Sequence, residues 1–92
     1  MSKIDGDILL HKMALSTSKE TAKLAFQIIS NIQLKKPHEQ INALSAIFVL
    51  LLDVFKVSHS DVLGIAHNMI YGLEDMRPEF KAIKAYIENE LG

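Results

Sequence analysis

The side chains that could do chemistry are few and scattered. The four histidines are His11, His38, His59 and His67. No two stand three or four residues apart, so no helical turn can bring a pair onto one metal ion. Asp7 and His11 have i, i+4 spacing and could share an ion, but a hydrogen bond in a terminal turn or plain exposure is the simpler outcome. Glu74 and Asp75 fall in a linker, and Glu88 and Glu90 near the C-terminus. These are solvated positions, without the burial that general-acid catalysis requires. There is no G-x-S-x-G elbow, no P-loop and no G-x-G-x-x-G run, and 4 Gly are too few for a phosphate cradle. With no Cys, disulfides, zinc–thiolate sites, iron–sulfur clusters and cysteine nucleophiles are excluded together. The expectation is a non-enzymatic chain with no catalytic residue, no metal site and no cofactor.

One constellation has the look of a nucleic-acid reader. Val57, Ser58, Val62 and Ile65 match the spacing of a helix-turn-helix. Two key positions depart from it: Leu52 stands where the helix crossing wants a small side chain, and Lys56 stands where the turn wants Gly. The helix that would enter the groove exposes His59, Ser60, Asp61, Gly64, His67, Asn68 and Tyr71. It has no Arg or Lys to contact phosphate or guanine. The net charge, 10 basic against 11 acidic residues, is −1, so no basic excess draws the chain to nucleic acid or anionic lipid. Two capped core helices are the simpler reading, and DNA-binding transcription regulation is the alternative.

The elements that position these residues are helical from residue 7 to residue 91. Asp5 or Asp7 can cap a first segment carrying Ile8, Leu9, Met13 and Leu15. Thr17 and Glu20 have capping-box spacing, which predicts a break or kink after the first segment. The second segment, about 18–33, lines one face with Ala22, Ala25, Phe26, Ile29 and Ile32. Pro37 then opens a third, since Pro suits a first helical turn and the residue before it avoids helix. Ser58 with Asp61 caps a fourth, facing Val62, Leu63, Ala66, Met69, Ile70 and Leu73 inward, with Gly72 placed as a left-handed C-cap. Pro78 opens a fifth, with Phe80, Ile83, Ile87 and Leu91 as its stripe.

The third segment, Pro37–Phe55, is apolar on nearly all sides. Ile41, Leu44, Ile47, Phe48, Leu51, Leu52 and Phe55 make the core face. Ala43, Ala46, Val49, Leu50, Val54 and Val57 make the other. Asp53, near the helix end, is expected to face solvent and pair weakly with Lys56 at i+3. A helix apolar all round must be covered all round. At roughly 28 Å long it would cross the whole domain, and the remaining segments are too few to wrap it. A second copy would supply the missing cover, with Val49, Leu50 and Val54 as self-association residues.

Ninety-two residues make one domain, residues 1–92. Hydrophobic residues are 49% and charged residues 23%, which argues against a disordered chain, and the scarcity of Gly and Pro argues against a β-sandwich or barrel. The expected fold is all-α, a compact bundle of four to five helices around a central apolar helix. The start lacks the basic, apolar and small-residue regions of a leader. The longest apolar run, 46–52, is far short of the roughly 20 residues of a membrane span. The expectation is a cytoplasmic protein with no membrane partner.

On the fourth helix Ser60, Gly64, His67 and Tyr71 recur at i, i+4, i+7 and i+11, with Asn68 beside them. A plain solvent face is the simpler reading. The functional one is a protein-docking strip: Gly64 leaves a notch, Tyr71 is an amphipathic anchor, and His67 and Asn68 offer hydrogen bonds.

The run IFVLLLD at 47–53, with Val57 and Ser58, Asp61 and Val62, and AHNM at 66–69, resembles small uncharacterised proteins encoded by tailed bacteriophages. The shared features are a leucine-rich helix, a short turn with Ser then an acidic residue before Val, and an Asn-containing next helix. The likeness covers a quarter of the chain. It implies a small accessory protein of the bacterial cytoplasm. The functional expectation is a small helical interaction protein, a homodimer that binds another protein.

Overall fold

The computed structural model describes residues 5–91. Residues 1–4, part of the start read for a leader, lie outside the described residues. Over the described residues the chain is an all-α bundle of five helices: α1 Gly6–Leu15, α2 Ser18–Asn31, α3 Pro37–Phe55, α4 His59–Ile70 and α5 Pro78–Tyr86, the last running into a π turn at Ile87–Leu91. The only extended pairing among the described residues is a bridge between Tyr71 and Met76.

Side chains mark nearly every boundary. Asp5 caps α1, its carboxylate accepting from the amides of Asp7 (2.8 Å) and Ile8 (3.3 Å). The N-terminal segment is two helices, not one. Ser16 is extended, its hydroxyl donating to the Lys12 carbonyl, and Thr17 caps α2 by accepting from the Glu20 amide at 3.2 Å. Pro37 opens α3, and Glu39 accepts from the Lys36 amide, half of a capping box. Ser58 caps α4.

The end of α3 holds the one left-handed residue among those described outside glycine, Lys56 at φ 57°, ψ 45°. The Val57 amide donates to the Leu52 carbonyl, the six-to-one bond of a Schellman end. The left-handed cap expected at Gly72 does not occur, since no described glycine has positive φ. Instead α4 ends on an extended Tyr71, and the Gly72 amide donates to the Asp75 carbonyl at 2.7 Å. A Cβ at Gly72 would lie 3.3 Å from that carbonyl, so Gly is there for close approach within the turn. The expected Asp53–Lys56 pair is also absent among the described residues. Asp53 is exposed as read, but Lys56 has left the helical path on which i, i+3 side chains meet.

Helix α1 packs on α4, and α2 on α5. The start of α1 also sits on the α3–α4 turn, where a Cβ at Gly6 would come 3.1 Å from the Lys56 carbonyl. Buried apolar residues are Ala22, Leu52, Val62 and Leu91. The π turn explains Leu91: the wider i, i+5 step carries it to the side of the half-buried Tyr86, while Ile87 stays exposed. Helix α3 covers one stripe only, with Leu52 buried and Leu44, Phe48 and Phe55 half-buried. Ile41, Ile47 and Leu51, read as core-facing, are exposed, as are Ile8, Leu15, Leu63 and Leu73. Leu73 lies beyond the end of α4, so the helical period no longer aims it inward.

Candidate interaction surface

Helix α4 turns Val62 into the core and half-buries Ile65, Ala66, Met69 and Ile70. That orientation leaves Ser60, Gly64, His67, Asn68 and Tyr71 exposed together on the outside. The His67 and Tyr71 rings lie against each other, centroids 4.7 Å apart and tilted by 34°. A Cβ built on Gly64 meets nothing within 4 Å, so the notch there is open. The Ser60 hydroxyl bonds that of Ser58. Asn68 is tied to the following turn, its backbone carbonyl accepting from the Arg77 guanidinium at 3.4 Å. Asn68, Met69 and Arg77 also wall an open cleft of about 550 Å³ whose far side is the α1–α2 junction at Ser16, Thr17 and Ser18.

A second surface was not foreseen from sequence. Between α2 and α5 lies a shallow, apolar groove of about 610 Å³, floored by Ala22, Phe26, Ala82 and Ile83 and edged by Lys19 and Lys23. Phe26 meets Tyr86 edge-on, centroids 4.9 Å apart. The Tyr86 hydroxyl bonds Gln33, and the Ser18 hydroxyl donates to Glu79. The Ser18 hydrogen bond, aided by a backbone amide, holds the Glu79 carboxyl below its ordinary range. Asp75 is lowered in the same way, chiefly by its hydrogen bond with Lys81 (2.5 Å) and then by the Met76 amide. Both shifts keep the carboxyl ionised, the opposite of what a general acid needs. Among the described residues no three His, Asp or Glu side chains form a metal-binding group.

Helix α3 presents the largest apolar surface. Val49, Leu50 and Val54 are 49, 63 and 59% exposed, and Ile47 is 55%. By length and composition alone this helix could cross a membrane. It is interrupted by Gln40, Asn42, Ser45 and Asp53. The chain as a whole exposes 7197 Å². A folded monomer of 10.3 kDa exposes roughly 5,400 Å², so the excess is about 1,800 Å². Its radius of gyration is 14.2 Å against about 12 Å for a tightly packed chain of this length.

Sequence reasoning also missed Gln40, the one buried polar residue among those described. Its side-chain amide donates to the carbonyls of Ile32 and Lys35, both at 3.0 Å, where α2 ends; the Ile32 carbonyl also accepts from the Lys35 amide at 3.0 Å. The signal was present: Gln40 stands four before Leu44 and seven before Ile47, a polar residue on an apolar stripe.

No protein-family model, no curated protein and no solved structure matches the chain.

Proposed function

We propose that this chain is a small non-enzymatic helical interaction protein that works as a homodimer and binds another protein. The observation that carries the reading is the run of exposed apolar side chains along α3, Ile47, Val49, Leu50 and Val54, on a chain whose total surface exceeds that of a monomer of this mass by about 1,800 Å². Monomers rarely leave contiguous patches larger than a few hundred Å² open. The resemblance to small proteins of tailed bacteriophages extends the reading to an accessory factor in a bacterial cytoplasm. The α4 strip, with its open notch at Gly64 and paired His67 and Tyr71 rings, is the proposed surface for the second protein. The test is sedimentation equilibrium at micromolar concentration. The expected mass is at least twice the 10.3 kDa of the chain; a monomer overturns the reading.

One observation favours the alternative, a helix-turn-helix regulator. The α3–α4 turn is left-handed at Lys56, the position where such turns carry Gly. Against it, α4 has no Lys or Arg and the net charge is −1. Duplex DNA should bind no tighter than roughly 10⁻⁴–10⁻⁶ M, the non-specific range. A sub-micromolar, sequence-selective shift at physiological salt would reverse the ranking.

A further inference from the structure

We infer that the cleft between the α1–α2 junction and the start of α5 binds a small organic anion, an oxyanion head on an apolar body, with Arg77 taking the head. This site goes beyond the interaction reading and does not depend on it.

The cleft holds about 550 Å³, within the roughly 300–1,000 Å³ of small-molecule sites. Its charge is one-sided: Arg77 lines it and no carboxylate does. The Arg77 guanidinium makes a single long hydrogen bond, 3.4 Å to the Asn68 carbonyl, and no ion pair among the described residues. A guanidinium offers five N–H donors in a fork that matches a carboxylate or phosphate edge, so most of that capacity is unused. Glu79 is near enough to feel the Arg77 charge, but it accepts from Ser18 and lines the α2–α5 groove instead.

Two more donors line the same cleft. Thr17 Oγ1 accepts from the Glu20 amide, which leaves its own proton to donate. Asn68 bonds Arg77 through its backbone, and its side-chain amide has no partner among the described residues. Ser16 and Ser18 differ, since their protons go to the Lys12 carbonyl and to Glu79. The remaining lining is apolar, Ala14 from α1 with Ile65 and Met69 from α4. A bare phosphate or acetate ion would leave that part wet, so the ligand carries a body.

The backbone around the cleft is already fixed. Arg77 is extended at the N-cap of α5, and its amide donates to the Ile70 carbonyl at 2.8 Å beside the Tyr71–Met76 bridge. Thr17 is held as the N-cap of α2. Packing of α1 on α4 brings Ala14 to the same cleft as Ile65 and Met69. A wall set in advance loses little freedom when a ligand binds.

The test titrates the isotope-labelled chain and follows its amide signals by NMR. Phenyl phosphate and phenylacetate are the whole probes and distinguish the two heads. Inorganic phosphate lacks the body, and benzyl alcohol lacks the charge. At least one whole probe should saturate with a dissociation constant of about 1 mM or tighter, moving the amides of Thr17, Asn68 and Arg77. Inorganic phosphate and benzyl alcohol should each bind at least about tenfold more weakly. Arg77→Gln should weaken the better probe at least about tenfold, while Lys84→Gln, an exposed cation elsewhere on α5, leaves it unchanged. If Arg77→Gln loses its helical signal in circular dichroism, Arg77→Lys is read in its place, keeping the charge without the fork. A weakening is again expected, and none overturns the site. The site is also overturned if neither whole probe saturates, or if benzyl alcohol or inorganic phosphate binds as well as they do. Saturation that moves Phe26 and Ile83 instead overturns it too, by placing the anion beside the lysines of the α2–α5 groove.

Discussion

Replacing Gln40 by Met isolates what the buried amide does for the fold. Met is close to Gln in length and in helix propensity, so α3 itself should be indifferent to the change. It cannot donate, so the carbonyls of Ile32 and Lys35 each lose a donor at 3.0 Å, the Ile32 carbonyl keeping that of the Lys35 amide. A hydrogen bond of this kind contributes about 1 ± 0.5 kcal/mol net, so two give about 2 kcal/mol. Two corrections nearly cancel. The carbonyls lie where α2 frays into a turn and can recover water, which lowers the cost. The Gln40 side chain sits in a site only 8% exposed, which limits how easily water enters and raises it. The expected loss therefore stays at about 2 kcal/mol. Urea unfolding followed by circular dichroism measures it, with wild type and variant at one protein concentration, since association makes apparent stability concentration-dependent. A loss below about 0.5 kcal/mol would refute the claim that Gln40 holds the α2–α3 corner.

Lys56→Gly should stabilise by about 0.5–1 kcal/mol, because the left-handed conformation costs a non-glycine residue about 1–2 kcal/mol and glycine gives back part through its freer unfolded chain. A lower urea midpoint for that variant would mean the Lys56 side chain has a packing role. Tyr71→Ala should leave stability within about 1 kcal/mol, since the residue is 41% exposed and its ring lies against the exposed His67. It should weaken capture of a protein partner by about 2 kcal/mol; a sharp fall in melting temperature would instead make the ring part of the core. The lowered carboxyls set an acid dependence. Glu79 and Asp75 favour the folded state as carboxylates, so their contribution is full above the ordinary values of 4.5 and 3.8 and is lost as pH falls through the lower folded values. Melting temperature should hold from neutral pH to about 5 and drop below that, with a shallower drop in Glu79→Gln. An unchanged slope in Glu79→Gln would remove Ser18–Glu79 from the account of acid stability.

The turns of the chain are largely legible in its local sequence. Asp5, Thr17, Pro37, Ser58 and Pro78 each act on groups within four residues of themselves, so each cap or break needs no distant partner. The failures share a different origin. Gly72 reads as a left-handed cap because glycine can adopt that state, yet the state went to Lys56, where the Schellman bond from Val57 and the contact with Gly6 hold the turn. The α4 strip is legible as a face, since i, i+4, i+7 spacing fixes which residues share a side of a helix. Its exposure depends on α4 turning Val62 inward.

The sequence by itself determined the helical class, the boundaries of α3 and the surplus of apolar side chains on it, because capping, proline geometry and periodicity are local. Only the tertiary structure decided which apolar stripe of α3 is covered. Leu44, Phe48, Leu52 and Phe55 took the inside, while Ile47, Leu50 and Val54 stayed out, although both sets have helical spacing. A helix apolar on every side carries no preference for one face over another, so its rotation is set by which stripe the remaining helices can reach. With α1 paired to α4 and α2 to α5, too little chain was left to cover the rest.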